Sequence, residues 1–442
     1  MSVTGATTLV LAAGARSTRN CFCEAVSVSS LPRAEPSGAF RRFFWAEAVS
    51  GLGSAITSLA LQTLVLVTLH GGAAQVGWLN SARLLPYLLL GVVVGALVDR
   101  VRRRPVMVIT DVVRAGLLGL IPLAWGFDFI SFPLVLVVVA LFGTASLVND
   151  AASMSFVPRL VPRDRLQRAH ARLDGASAVA QTAGPAVAGV LIRILGAPLS
   201  VLVDAFTYLF SALMVASMKD VSEPPSAKPA GVGARGLVAE MMDGARWAYG
   251  ASGLRRLALS THVWFAGQAV LLVLVVPYGY RQLGLSALQM GLVFAVAGVG
   301  ALIGATLSTR LGLRLGTGGA IICSRVVSAL GVLIMLAATS VPAGWTAAAV
   351  LAAGQLCHGW AMGTSNSHEM TFRQALTPDD LQARTNTTLR SFNRGVMVLI
   401  SPVAGLLGDA VGYGETLCAA AAIFAISALM LVVSPFRNVR ID

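Results

Sequence analysis

Apolar stretches long enough to cross a bilayer constrain this chain more than any other feature. They fall at residues 44–69, 76–98, 105–125, 129–149, 171–195 and 198–218, and again at 257–281, 287–311, 318–340, 342–363, 385–410 and 414–435. A helix rises 1.5 Å per residue, so about 20 residues cross a hydrocarbon core about 30 Å thick. That core holds no water for backbone N–H and C=O groups, and a helix satisfies its own. The sequence therefore predicts an all-α membrane protein with twelve transmembrane helices. Of its 442 residues, 56% are hydrophobic and 12% charged, against about 25% charged in an ordinary soluble domain. The net charge of +13 does not indicate nucleic acid, because the arginines lie between apolar spans and not along one soluble face.

The basic residues fix an orientation. Arg41 and Arg42 precede span 1, and Arg100, Arg102, Arg103 and Arg104 follow span 2. Arg159, Arg163, Arg165, Arg168 and Arg172 cluster between spans 4 and 5. Lys219, Lys228, Arg235, Arg246, Arg255 and Arg256 follow span 6, Arg310 and Arg314 follow span 8, and Arg373 and Arg384 separate spans 10 and 11. The other loops are short and poor in Lys and Arg. By the positive-inside rule the even-numbered loops and both termini are cytoplasmic, in a multi-pass protein of the cytoplasmic membrane.

Residues 219–256 form the longest polar stretch between spans, with Pro224, Pro225 and Pro229 ahead of an amphipathic piece at 236–249. They read as a cytoplasmic linker between an N-terminal six-helix half (39–218) and a C-terminal six-helix half (257–436). Residues 1–38 contain a short apolar run with no basic residue before it, unlike a secretory signal. They are expected to be a disordered tail or a misassigned start. The cysteines, Cys21, Cys23, Cys323, Cys357 and Cys418, form no CxxC pair, so neither a disulfide framework nor a metal site is expected.

The halves repeat each other. Leu166-Gln167-Arg168 followed by Gly184-Pro185-Ala186-Val187-Ala188-Gly189 has a counterpart in Leu381-Gln382-Ala383 followed by Ser401-Pro402-Val403-Ala404-Gly405. Gly91-x-x-x-Gly95 has one in Gly300-x-x-x-Gly304. Several pairs at nearly one offset argue for a duplicated six-span unit in two parallel halves, the arrangement a rocking carrier needs.

Between spans 2 and 3 the chain reads Gly95-Ala96-Leu97-Val98-Asp99-Arg100-Val101-Arg102-Arg103-Arg104-Pro105. This loop resembles the loop 2–3 motif of the major facilitator superfamily, G-x-x-x-D-[RK]-x-G-[RK]-[RK]. Gly95, Asp99, Arg100, Arg103 and Arg104 match; Arg102 stands where the motif has glycine. The resemblance covers about residues 40–436. Ser50-Gly51-Leu52-Gly53-Ser54, Asp111-x-x-Arg114-Ala115, Pro158-x-Leu160-Val161-Pro162 and Asp204-Ala205-Phe206-Thr207-Tyr208 are similar to its macrolide-efflux and siderophore-exporter branch of drug:proton antiporters. The resemblance implies the major facilitator fold. It also implies a gate in which Asp99 latches the halves together on the cytoplasmic side, against nearby arginines and the N-terminus of span 11, whose dipole attracts a carboxylate.

Charges inside a bilayer cost about 2.5–3.5 kcal/mol each on insertion scales, so each needs a role. Asp111 and Arg114 are three apart and share a helix face. They read either as a neutralised pair extending the latch or, through Asp111, as part of a proton path. Glu47 and Asp204 are acids without a neighbouring base in sequence. Each is either a structural hydrogen-bonding residue or a carboxyl that takes a proton from one side and releases it to the other. Arg83, Arg325, Arg390 and Arg394 read as counter-charges or cavity residues. Gly175, Gly184, Pro185 and Gly189 allow close helix packing and resemble the Gly-Pro element of the superfamily's antiporters. His262, His358 and His368 are scattered and read as structural. The fold implies a substrate site near the midplane, lined by spans 1, 4, 7 and 10, with Trp264, Phe265, Gln268, Gln355 and Trp360 as contacts.

The expectation is a monomeric secondary active transporter without a cofactor, exporting an amphipathic drug or secondary metabolite in exchange for protons. The alternatives are a small-metabolite importer of the same fold and, remotely, a membrane-embedded transferase. Asp379-Asp380 is the one adjacent acidic pair and has no second cluster beside it, which weighs against a transferase. The chain has no GxxxxGK[ST] loop, which weighs against direct ATP drive.

Overall fold

A computed structural model of the chain describes residues 38–98, 100–218, 234–250 and 253–440. Asp99, the expected tail before Gly38 and the linker residues 219–233 and 251–252 lie outside the described residues. The rest forms helices joined by short turns, with no strand among the described residues. In chain order they are α1 (Gly38–Thr63), α2 (Ala73–Leu89), α3 (Gly91–Val98), α4 (Arg103–Gly126), α5 (Phe132–Leu160), α6 (Leu166–Leu195) and α7 (Ala197–Ala216). Then follow α8 (Ala234–Tyr249), α9 (Leu254–Pro277), α10 (Ala287–Leu336), α11 (Trp345–Leu376), α12 (Asp379–Val411) and α13 (Tyr413–Val432).

Among the described residues, nine helices are long and apolar enough to cross a membrane. The remaining expected spans fall short for identifiable reasons. Span 2 is divided into α2 and α3 at Leu90, just after Pro86, which lacks a ladder N–H. Bonds from Leu90 N to Pro86 O (2.8 Å) and from Val94 N to Leu90 O (2.8 Å) still carry the ladder across. Spans 8 and 9 both lie within α10, which breaks at Gly316 (φ 74°, ψ 167°), a conformation that glycine adopts without a Cβ penalty. Span 10 is α11, long but bearing Gln355, His358, Asn366, His368 and Glu369.

The surface is apolar and the interior holds the charge. Ile194, Leu313 and Leu399 are 72%, 80% and 70% exposed, whereas Asp111, Asp204 and Arg325 are 1%, 0% and 1% exposed. Lipid rather than water is the solvent that makes this distribution stable.

The same local structure occurs twice. α1 ends in a π-helical turn at Leu64–Thr68, and α9 ends in one at Tyr278–Gln282. Leu69 N donates to Leu64 O (2.9 Å) and Gly71 N to Val65 O (2.8 Å); in the second copy Leu283 N donates to Tyr278 O (3.1 Å) and Leu285 N to Gly279 O (2.9 Å). The next helix then opens with a glutamine reaching back: Gly72 N donates to Gln75 Oε1 (2.7 Å) and Ser286 N to Gln289 Oε1 (2.8 Å). The copies differ at one atom group. The Ser286 hydroxyl also accepts from Gln289 N (3.3 Å), and Gly72 has no side chain to do the same.

Glycines bring α10 and α11 together. The carbonyl oxygens of Leu356 and Trp360 occupy the places where a Cβ on Gly300 or Gly304 would go, and those of Ala297 and Ala301 do so for Gly359 and Gly363. Small residues four apart on both helices let the backbones meet. Gly91 and Gly95, the sequence counterparts of Gly300 and Gly304, have nothing within 4 Å among the described residues.

Candidate functional site

A cavity of about 700 Å³ lies among α6, α9, α10 and α11. Its polar groups include Gln181 and Thr182 on α6, Gln268 on α9, and Gln355, His358 and Asn366 on α11; Leu271, Val275, Phe294 and Met362 supply apolar wall. Positions 355, 358, 359, 362, 363, 366 and 367 of α11 line it, one stripe at helical spacing. Among the described residues, Asp174 is the one acid in the lining, and no lysine or arginine lines it. The cavity extends towards the same end of the bundle as the arginine loop, as far as Asp174 and Ser367.

Of the five expected contacts, Gln268 and Gln355 line this cavity; Trp264, Phe265 and Trp360 do not. Trp264 is 8% exposed and stacks on His358, centroids 6.1 Å apart and planes 8° apart, with Phe424 at 5.8 Å. Phe265 meets the Trp264 ring edge to face at 5.1 Å. The cavity therefore stops short of these rings. Trp360 falls off the α11 stripe, and its carbonyl packs against Gly304. The lining comes from spans 5, 7, 8 and 10 and not from 1, 4, 7 and 10. His358, read from sequence as structural, is part of the wall: its Nε2 and Gln268 Oε1 are 2.8 Å apart. Its spacing from Gln355 and Met362 was the signal that would have placed it there.

The four coupling candidates lie among the helices before residue 218. Asp111 and Arg114 form a buried ion pair. Asn149 Nδ2 donates to Asp111 Oδ1 (3.1 Å), and the Arg114 guanidinium lies 4.1 Å from the centroid of the Tyr208 ring. Glu47 on α1 accepts from Ser153 Oγ on α5 (2.8 Å). Asp204 on α7 accepts from Thr207 Oγ1 (2.8 Å) and presses on Gly53, where a Cβ would run into the carboxylate. Among the described residues neither Glu47 nor Asp204 forms a salt bridge.

In the arginine loop, Arg104 Nε donates to Val215 O (3.1 Å), and its guanidinium also reaches Ala216 O. A cation is thus set on the carbonyl end of α7, where the helix dipole favours it. Arg103 Nε donates to Ser155 Oγ on α5 (3.4 Å), and Arg100 is exposed. Arg102, the departure from the motif, precedes α4 with φ −70° and ψ 125°, extended backbone that does not require glycine. On α6, Gly184 meets Ala55 of α1 and Gly189 meets Ala287 and Gly291 of α10, while Pro185 lines the cavity; Gly175 has nothing within 4 Å and packs no helix.

Two further clusters centre on acids not singled out from sequence, Glu369, which is the partner of the expected counter-charge Arg325, and Asp409. Glu369 on α11 accepts from Arg325 Nη2 of α10 (2.7 Å), Ser365 Oγ (2.7 Å) and Thr261 Oγ1 of α9 (3.2 Å). At the end of the bundle opposite the arginine loop, both oxygens of Asp409 accept from the first amides of α2, Ala73 N (2.9 Å) and Ala74 N (2.8 Å).

The family model of the Major Facilitator Superfamily matches residues 43–370 and again 257–440. The chain belongs to that superfamily. This is the family that the loop 2–3 resemblance named. Among the superfamily's members it is similar to the staphyloferrin A transporter of Staphylococcus aureus, 28% identical over 175 residues that cover 39% of this chain and 43% of that protein. It is also similar to the multidrug efflux pump Tap of Mycobacterium tuberculosis, 26% identical over 223 residues that cover 49% of this chain and 52% of that protein. The chain therefore spans about half the length of these relatives. In fold it matches the crystal structure of a bacterial homologue of the iron transporter ferroportin in the inward-facing state, with a TM-score of 0.71 at 15% identity over 89% of this chain and 98% of that one.

Proposed function

We propose that the protein is a proton-coupled exporter of an uncharged or cationic amphipathic compound. It would work by alternating access between an N-terminal half (39–218) and a C-terminal half (257–436) joined by the linker 219–256. The cavity carries this reading. Its volume of about 700 Å³ lies in the range of small-molecule sites, about 300–1,000 Å³. Its wall is apolar with amide and hydroxyl groups, and the absence of lysine and arginine from the lining leaves nothing to neutralise an anion. The likeness to an efflux pump supports export over import.

Asp111 is already neutralised by Arg114, so the coupling carboxyls in this scheme are Glu47 and Asp204. The cavity would open to the cytoplasm, where the arginine loop lies by the positive-inside rule, with both termini on that side and the monomer as the working unit. In this scheme Asp99 would engage nearby arginines and the N-terminal end of α12 on outward opening, where the helix dipole attracts a carboxylate.

Everted vesicles containing the protein, acid inside, are expected to accumulate a fluorescent amphipathic cation and to stop when the pH gradient is collapsed. Asp99→Asn, with normal membrane levels, is expected to reduce uptake to that of vesicles without the protein. Undiminished uptake by Asp99→Asn contradicts the latch. A gradient that drives the compound out of the vesicles instead marks an importer.

A further inference from the structure

We infer that Asp409 is an outer latch, a positioning residue that holds the end of the molecule opposite the arginine loop closed and is released each time the carrier opens outward. The inference rests on the alternating-access reading above.

It begins with an N-terminus that cannot cap itself. The first amides of a helix lack intrahelical partners, and a Ser, Thr, Asp or Asn at the N-cap normally supplies one. α10 follows that rule through Ser286. α2, its counterpart in the repeat, has Gly72 at this position. The missing acceptor comes instead from α12, where Asp409 Oδ1 takes Ala73 N and Oδ2 takes Ala74 N. Gly72 also makes room, since a Cβ there would run into the Asp409 carboxylate. Asp409 lies in the last turn of α12, where its charge is disfavoured by its own helix dipole, and it sits on the positive end of α2, where it is favoured. The first repeat offers no equivalent: counting from Pro185 as from Pro402, the position that matches Asp409 is Ile192. One copy keeps a local cap, and the other has exchanged it for a bond across the molecule.

The surroundings extend the contact. Tyr413 OH donates to Asp409 Oδ1 (3.4 Å), Arg281 Nη1 donates to Tyr413 OH (3.3 Å), and Arg281 Nη2 reaches Gly71 O (2.5 Å) on the same turn. Below them α2 and α12 run in backbone contact, Gly405 on Ala73 and Gly77 on Ser401. Separating these helices at this end therefore requires the carboxylate to leave α2. Asp409 is exposed to solvent, so the bond is of the moderate strength of a surface helix cap, enough to bias a two-state equilibrium about tenfold and still break in every cycle.

The test reads conformation directly, without cargo or proton gradient. Nitroxide labels at Ser131→Cys and Ala343→Cys, in exposed turns at the latched end, are placed on protein whose native cysteines are replaced by serine, reconstituted in nanodiscs. Their distance distribution is measured by double electron–electron resonance. Asp409→Asn is expected to raise the ratio of long to short distances about tenfold. Gly72→Ser, which gives α2 a cap of its own and evicts the carboxylate, is expected to do the same with no loss of thermal stability, and it decides the matter alone if Asp409→Asn does not fold. A distribution identical to that of the parent protein overturns the latch. Because no transport is measured, that outcome is distinct from failure of the export reading, which the vesicle assay tests.

Discussion

Glu369→Leu is expected to lower the unfolding free energy by about 3–5 kcal/mol, the usual cost of breaking a buried ion pair from one side. Arg325 is 1% exposed and Glu369 7% exposed, and the carboxylate gathers Arg325, Ser365 and Thr261 from three helices. Removing it leaves a guanidinium inside the protein beside the neutral Thr261 hydroxyl, which accepts from Arg325 Nη2 (2.9 Å), and the Trp264 ring, whose centroid is 5.3 Å away. Replacing both partners by apolar residues of similar size removes the desolvation cost together with the attraction. Glu369→Leu with Arg325→Met is therefore expected to recover to within about 1 kcal/mol of the parent. Unfolding in mixed micelles, followed for both single variants and the double, checks this. A double variant as unstable as Glu369→Leu contradicts it.

Gly304→Val and Gly95→Val, matched positions of the two repeats, are expected to give opposite results. The first places a branched side chain against the Trp360 carbonyl. The other face of α10 is held as tightly by α6, where Gly189 meets Gly291 and Thr182 meets Gly298, so α10 cannot shift away. Overpacking of this kind costs about 1–3 kcal/mol or more. Among the described residues nothing lies within 4 Å of Gly95, and Gly95→Val is expected to stay within about 0.5 kcal/mol of the parent in the same assay. Equal destabilisation by the two would mean that α3 is packed as α10 is.

The contrast shows where sequence reading reached its limit. The Gly-x-x-x-Gly repeat was legible, and so were the apolar spans and the arginine loop, because each depends on local pattern; Gln268 and Gln355 do line the cavity. Which copy of the repeat packs and which faces space depends on the state of the bundle, which no single helix records. Glu369 escaped because the apolar window of span 10 ends at 363 while α11 continues to Leu376. Polar residues prolong a helix unless something stops it, and here the stop comes only before Pro378. Asp409 escaped for a different reason. It pairs with amides of α2, and backbone donors leave no trace in side-chain chemistry; only the unusual glycine at an N-cap pointed to them. Trp264 and Trp360 were drawn into the expected site by residue type, and the structure puts them in packing roles.

The most direct test of the account is accumulation of a panel of fluorescent and antibiotic compounds in an efflux-deficient host producing the protein, with and without a protonophore. Proton-driven export is expected to lower the accumulation of at least one uncharged or cationic amphipathic compound, and the protonophore to restore it. Higher accumulation than in control cells, or a lowered level that the protonophore leaves unchanged, would contradict proton-driven export.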